Sequence, residues 1–129
     1  MKYVPVVLLI LIASPIVAQN ITVPSGQPVT LQDIMIETSD EANDYRFRFL
    51  TPDIAGSDVL QNIDMLEGDM VHLCQEFALP QIAQGGDVAG RVIISFADRA
   101  TEFGVATPDA TQVFESYSIE NDTCIWEAF

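Results

Sequence analysis

Few side chains in this chain could do chemistry, and their types limit what that chemistry could be. His72 is the one histidine among 129 residues. Asp69, His72 and Glu76 stand at i, i+3 and i+7, which on a helix places all three on one face. A histidine between two carboxylates could relay a proton or ligate a metal. The pair H-x-x-x-E lacks the second histidine that makes helical metal sites specific, so a solvated face opposite the apolar stripe is the expected use. Asp98, Arg99 and Glu102 follow an apolar run that reads as a strand, and sites gather at strand ends. Arg99 could grip a carboxylate or phosphate through two parallel hydrogen bonds. The acids beside it offer a plainer role, tying down its own loop. Tyr117 and Trp126, with Phe129, could form an aromatic recognition patch or pack against the sheet. Asp98, Arg99, Glu102, Tyr117 and Trp126 are the candidate binding residues.

No catalytic set accompanies them. There is no G-x-S-x-G elbow, and both cysteines are expected to be bridged, so nucleophilic catalysis has no obvious agent. The loop acids Asp40, Glu41 and Asp44 lack the spaced ligands and closing glutamate of a calcium loop. Two isolated cysteines without C-x-x-C spacing do not make a zinc set. Neither a metal nor a cofactor is expected.

The first 18 residues, MKYVPVVLLILIASPIVA, read as a leader. Lys2 supplies the positive start, Val4 to Ile12 the apolar core, and Ala18 a small residue before the cut. A membrane anchor is the alternative, but the apolar run is interrupted by Pro5 and Pro15 and falls short of the ~20 residues a bilayer core needs. Once the leader is removed, no stable membrane span is expected. Cleavage leaves four arginines, no lysine and all 19 acids; the whole chain has a formal charge of -14. That balance excludes nucleic acid, whose affinity comes from Lys and Arg on phosphates. It suits solubility, or steering towards a cationic partner. An even cysteine count behind a leader implies a disulfide, here Cys74 to Cys124, and places the protein in the periplasm or outside the cell. Two unpaired buried thiols are the alternative.

The elements that must position these residues follow from periodicity. Val29 to Glu37 reads as a strand with a bulge near Gln32-Asp33, and TSDEAND (38–44) as a hairpin loop. Tyr45 to Leu50 alternates, with Tyr45, Phe47 and Phe49 on one face. Arg46 and Arg48 fall on the other, opposite a strand that carries Glu37, which predicts weak cross-strand ion pairs. From residue 57 or 58 to Ala78, Ile63, Leu66, Met70, Leu73, Cys74 and Phe77 recur at three and four. Gly68 weakens that helix, its start moves towards Asp64, and Pro80 is expected to end it. Arg91 to Ala97 is apolar on both faces and reads as a buried central strand. Asp98 to Gly104 is a tight connection, and Thr107-Pro108 opens a single helical turn. Val113 to Ile119 and Cys124 to Phe129 form a hairpin around Glu120-Asn121-Asp122. The expected fold is α+β: an antiparallel sheet of five to six strands packed on one main helix, in a single domain over 19–129.

The ordered segments PSGQPVT, DYRFRFL, DMVHLCQEFALP, RVIISFADR, PDATQVFE and TCIWEAF resemble a family of small exported proteins of marine and related alphaproteobacteria, catalogued as a domain of unknown function. The resemblance spans Pro24 to Phe129, and VIISFADR and CIWEAF are its most specific pieces. It implies export and a single domain, and carries no activity or site residue to this chain. Three functions follow as expectations. The first is an exported, non-catalytic binding or accessory protein whose partner is an envelope protein or a small ligand. The second is an acidic inhibitor or scavenger of a cationic partner, such as a lysozyme-like enzyme or a basic peptide. The third is a small enzyme using His72.

Overall fold

In a computed structural model of the chain, the described residues are 20–55 and 61–128, with Tyr3. The leader expected at 1–18 (apart from Tyr3), residues 57–60 of the helix lead-in, and Phe129 lie outside them. Five strands form one sheet in sequence order: β1 (Thr30–Thr38), β2 (Asn43–Leu50), β3 (Ala89–Ala97), β4 (Gln112–Glu120) and β5 (Thr123–Glu127). A helix joins β2 to β3 and lies across one face.

The sheet departs from the expectation in one pairing. β2 and β3 run parallel, and the other three pairs are antiparallel. The helix is the reason: a connection that crosses the face of the sheet returns the chain in its original direction, which a hairpin cannot do. The bulge expected in β1 is present as a register shift between Leu31 and Asp33. The last hairpin closes on Asn121 and Asp122, both at positive φ (50° and 58°), the geometry of a two-residue turn that matches strand twist.

The helix outruns its expected end. It comprises α1 (Ile63–His72), a wide π turn (Leu73–Ala78) and α2 (Leu79–Gln84), 22 residues in all. Pro80 does not stop it. A proline in a regular helix lacks the bond to the carbonyl four residues back and crowds it. Here the Leu79 amide bonds to the Cys74 carbonyl, five back, and Pro80 enters in the first turn of the segment that follows. The π turn also carries Cys74 and Phe77. Phe77 sits edge-on to Phe47 and Phe49 of β2, with ring centroids 6.1 and 5.8 Å apart. These rings, with Leu66, Met70, Leu73, Val92, Ile94 and Phe96, make the core between helix and sheet.

β3 is central but is not buried equally on both faces. Val92, Ile94 and Phe96 face the helix and are fully buried; Ile93 and Ser95, on the other face, are half-buried. Residues of the 98–111 loop lie over that outer face, against Arg46, Arg48 and Ser95. The loop makes turns, one of them closed by Ala110 N–H on the Thr107 carbonyl, and contains no helix.

Candidate functional site

Asp69 is not on a solvated face. It is fully buried, on the flank of the apolar stripe, where the turn around Pro24 packs over the helix. Its carboxylate accepts hydrogen bonds from the Ser25 amide (2.9 Å), the Ser25 hydroxyl and the Gln27 side-chain amide (2.7 Å). Three donors engage it in anchoring the N-terminal segment. His72 is half-buried and Glu76 exposed, so the expected trio is divided between interior and surface. Among the described residues no group of three or more His, Cys, Asp or Glu is placed to hold a metal.

Asp98 and Arg99 serve their own loop. The Asp98 carboxylate accepts from the Arg99 guanidinium (3.1 Å) and from the Thr111 amide (2.9 Å), closing the 98–111 loop at its base. The Arg99 hydrogen bond holds the Asp98 carboxyl below the ordinary carboxylate range. Glu102 is exposed. These residues do not meet Tyr117 and Trp126. Tyr117 pairs with Val92, six residues before Asp98, about 20 Å along the strand at ~3.3 Å per residue.

Tyr117 and Trp126 do come together, directly opposite each other on β4 and β5 and on the helix side of the sheet. With Asp64, Glu67, Gly68 and Val71 of α1 they line an open cleft of about 430 Å³. The indole N–H of Trp126 donates to the Glu115 carboxylate at 2.6 Å, and 57% of Trp126 is exposed. Tyr117 forms the floor at 2% exposure, and among the described residues no group hydrogen-bonds its hydroxyl. Burial first, then the charges of Glu115 and Glu67, push its pKa far up, so it stays a neutral phenol.

Two fastenings set the cleft's shape. Cys74 and Cys124 form the expected disulfide. Beside it, the Gln75 side chain donates to the Asp122 carbonyl (2.8 Å) and accepts from the Cys124 amide (3.0 Å). Both tie the π turn to the tip of the last hairpin, and the cleft opens where α1 runs on from that tie towards its N-terminus. Gly68 widens it: a Cβ there would meet nothing within 4 Å. The roles of Gln75, Asp64, Glu67 and Gly68 were not anticipated. The helical period gives Asp64, Glu67, Gly68 and Val71 a common outward face, but not the strand pair that faces it.

The molecule is thus a small α+β protein with one long helix, a disulfide and an open cleft lined by carboxylates and aromatic rings. The chain belongs to a family of unknown function, DUF6497, whose model matches residues 9–129. No curated protein and no solved structure matches it. Among the described residues no helix is long and apolar enough to cross a membrane.

Proposed function

We propose that the protein is an exported, non-catalytic binding or accessory protein of the cell envelope, and that the cleft between α1 and the β4–β5 hairpin is where its partner sits. The cleft carries this reading. Trp126, Asp64 and Glu67 are exposed there, while other polar groups singled out in the sequence, Asp69 for proton or metal chemistry and Asp98 and Arg99 for binding, are engaged by neighbours that hold the fold together. Export is supported by the leader-like residues 1–18 and by the disulfide, which persists in an oxidising compartment.

The test uses a photo-crosslinking side chain in place of Val71, at the cleft wall, in cells making the full chain. A discrete adduct in the periplasmic fraction is expected, on protein that has lost residues 1–18, and Trp126→Ala should abolish it. Full-length protein retained in the cytoplasm overturns export. Exported protein without an adduct, or with one that ignores Trp126→Ala, overturns the cleft.

A further inference from the structure

We propose that the cleft seats the guanidinium or ammonium side chain of a basic polypeptide, which makes the protein a receptor for a cationic protein partner. The inference rests on the cleft being a binding site and names what it takes. Two carboxylates line the space, Asp64 and Glu67 on α1, and a third, Glu115, holds the Trp126 indole at its edge. None of the four arginines lines it. Trp126 offers an aromatic ring whose N–H already donates to Glu115. A carboxylate bound there enriches the ring's electrons and strengthens its attraction for a cation. At the floor lies Tyr117, 2% exposed as a residue, whose hydroxyl has no hydrogen-bonding partner among the described residues and stays accessible from the cleft. As a neutral phenol it can accept the N–H of an incoming guanidinium.

Gly68 adds an independent observation. A glycine inside a helix weakens it, and is usually explained by a close approach that excludes a side chain. No such approach exists here; the position opens on the cleft. What the missing side chain leaves is room above Tyr117 for a long, thin side chain with a charged tip.

A polypeptide is favoured over a free small cation. Sites for small ligands enclose most of the ligand, whereas this cleft leaves Trp126 more than half exposed. A side chain delivered by a larger body needs no such enclosure, because the body covers the rim. The charge of -14 extends far beyond the cleft, and a field of that extent steers a macromolecular cation.

Trp126 is the chain's one tryptophan and therefore reports on the cleft directly. The mature disulfide-bonded protein would be titrated with a short arginine-rich peptide, its citrulline counterpart, and tetramethylammonium. The arginine peptide should change the fluorescence saturably, and the other two should bind at least about tenfold more weakly, a gap of some 1.4 kcal/mol. Gly68→Leu, which fills open space, should weaken the arginine peptide by a similar factor with an unchanged fold by circular dichroism. Glu67→Gln with Glu115→Gln should weaken it several-fold. Asp40→Asn with Glu41→Gln removes the same charge from the exposed β1–β2 turn and should leave it nearly unchanged. Equal losses from the two charge pairs would mean diffuse attraction and overturn the proposal. So would equal binding of the citrulline peptide, or of tetramethylammonium, which would mark a small-cation site. An adduct at residue 71 in cells, with no arginine-peptide binding, would keep the cleft as a site and discard the basic partner.

Discussion

On the outer face of the sheet, Arg46 and Arg48 of β2 lie beneath the 98–111 loop. On the inner face, Trp126, Tyr117, Glu67 and Glu115 lie beside α1. Both regions combine aromatic rings with charge around a depression, of about 310 Å³ outside and about 430 Å³ inside. Outside, both arginines are engaged by groups of the protein itself. Arg48, only 7% exposed, donates to Asp33 (2.7 Å) and to the Thr101 carbonyl (2.7 Å) and hydroxyl (3.1 Å). The Phe103 ring lies 5.0 Å from the Arg46 guanidinium carbon and 5.7 Å from that of Arg48. Burial and the charge of Arg48 press the Arg46 pKa downward, but a guanidinium stays charged. The outer depression is thus a set of internal contacts that holds a long loop onto the sheet. Inside, among the described residues, the rings and carboxylates have one mutual bond, Trp126 to Glu115, and no basic side chain lines the cleft. A pocket whose charges are already answered is part of the scaffold; one whose charges are all of one sign invites a partner.

The largest expected effect bears on the inner region. The disulfide closes a loop with a sequence separation of 50, for which chain entropy gives an upper figure of about 4 kcal/mol. Cys74→Ser with Cys124→Ser should lower the urea-derived stability by about 2–4 kcal/mol. It should also loosen the cleft, seen as a change in Trp126 fluorescence within the folded baseline. Loss of stability with unchanged Trp126 emission would separate the cleft from its fastening.

Next comes the outer region. Arg48→Ala removes the donor shared by Asp33 and Thr101 and leaves the buried Thr101 carbonyl with one fewer partner. Asp33 is partly exposed and can recover water, so the cost should be about 2–3 kcal/mol rather than the full cost of breaking a fully buried pair. Amides of the 98–111 loop should lose hydrogen-exchange protection while Trp126 is unmoved. A helix comparison sharpens the point. Asp69→Ala strands the Ser25 and Gln27 donors and should cost about 1–3 kcal/mol, whereas the exposed Glu67→Gln, two residues away, should shift the thermal midpoint very little.

A third region sets limits in pH. Asp87 accepts from the Tyr45 hydroxyl (2.5 Å) and the Asn43 amide (2.8 Å), linking the entry to β3 with β2. Its pKa is lowered, chiefly by Tyr45, and that of Tyr45 is raised, chiefly by Asp87. A carboxyl with a lowered folded pKa contributes stability above its unfolded value of 3.8, lost as pH falls through the folded value. A phenol with a raised folded pKa contributes stability below its unfolded value of 10.0, lost as pH rises through the folded value. Chemical denaturation from pH 2 to 11 should therefore show a plateau between these limits. Tyr45→Phe should flatten the alkaline fall; an unchanged fall would place its cause elsewhere.

Much of this was legible in the residues. Strict alternation gave Tyr45, Phe47 and Phe49 their buried face, the slip at Asp33 gave the bulge, and two cysteines admitted one pairing. What was not legible depended on tertiary contacts. The direction of β3 follows from where the helix lays the chain, which no local pattern records. Asp69 looked solvent-facing because the turn that buries it lies 44 residues earlier in the chain. Pro80 looked terminal because the rule assumes a regular ladder, and a π turn changes the ladder. Arg48 was expected to make a weak pair with Glu37; Asp33 and a loop some 50 residues later made it a buried anchor. Tyr117 and Trp126 were picked out by type, and pairing across a short hairpin brought them together. Arg99 was picked out on the same grounds, and Asp98 engages it.

The smallest expected effect asks the sharpest question of the inner region. Gly68 lies in the interior of α1, and nothing in the fold prevents a side chain there. Gly68→Ala should therefore raise stability by about 0.5–1 kcal/mol, through helix propensity and a less flexible unfolded chain. It should do so while narrowing the space above Tyr117. If the cleft is a site, the same substitution that raises the thermal midpoint should reduce crosslinking from position 71 in cells, a gain in stability bought with function. The outer face supplies the control. Gly104, at φ +79° in the 98–111 loop, adopts a conformation other residues enter at a cost, so Gly104→Ala should lower stability and leave crosslinking alone. Opposite signs in stability, with an effect on crosslinking only at Gly68, would show that the cleft is held open against the preference of its own helix. A Gly68→Ala protein both more stable and fully competent in crosslinking would reduce that glycine to an accident of sequence, and the room above Tyr117 would lose its significance.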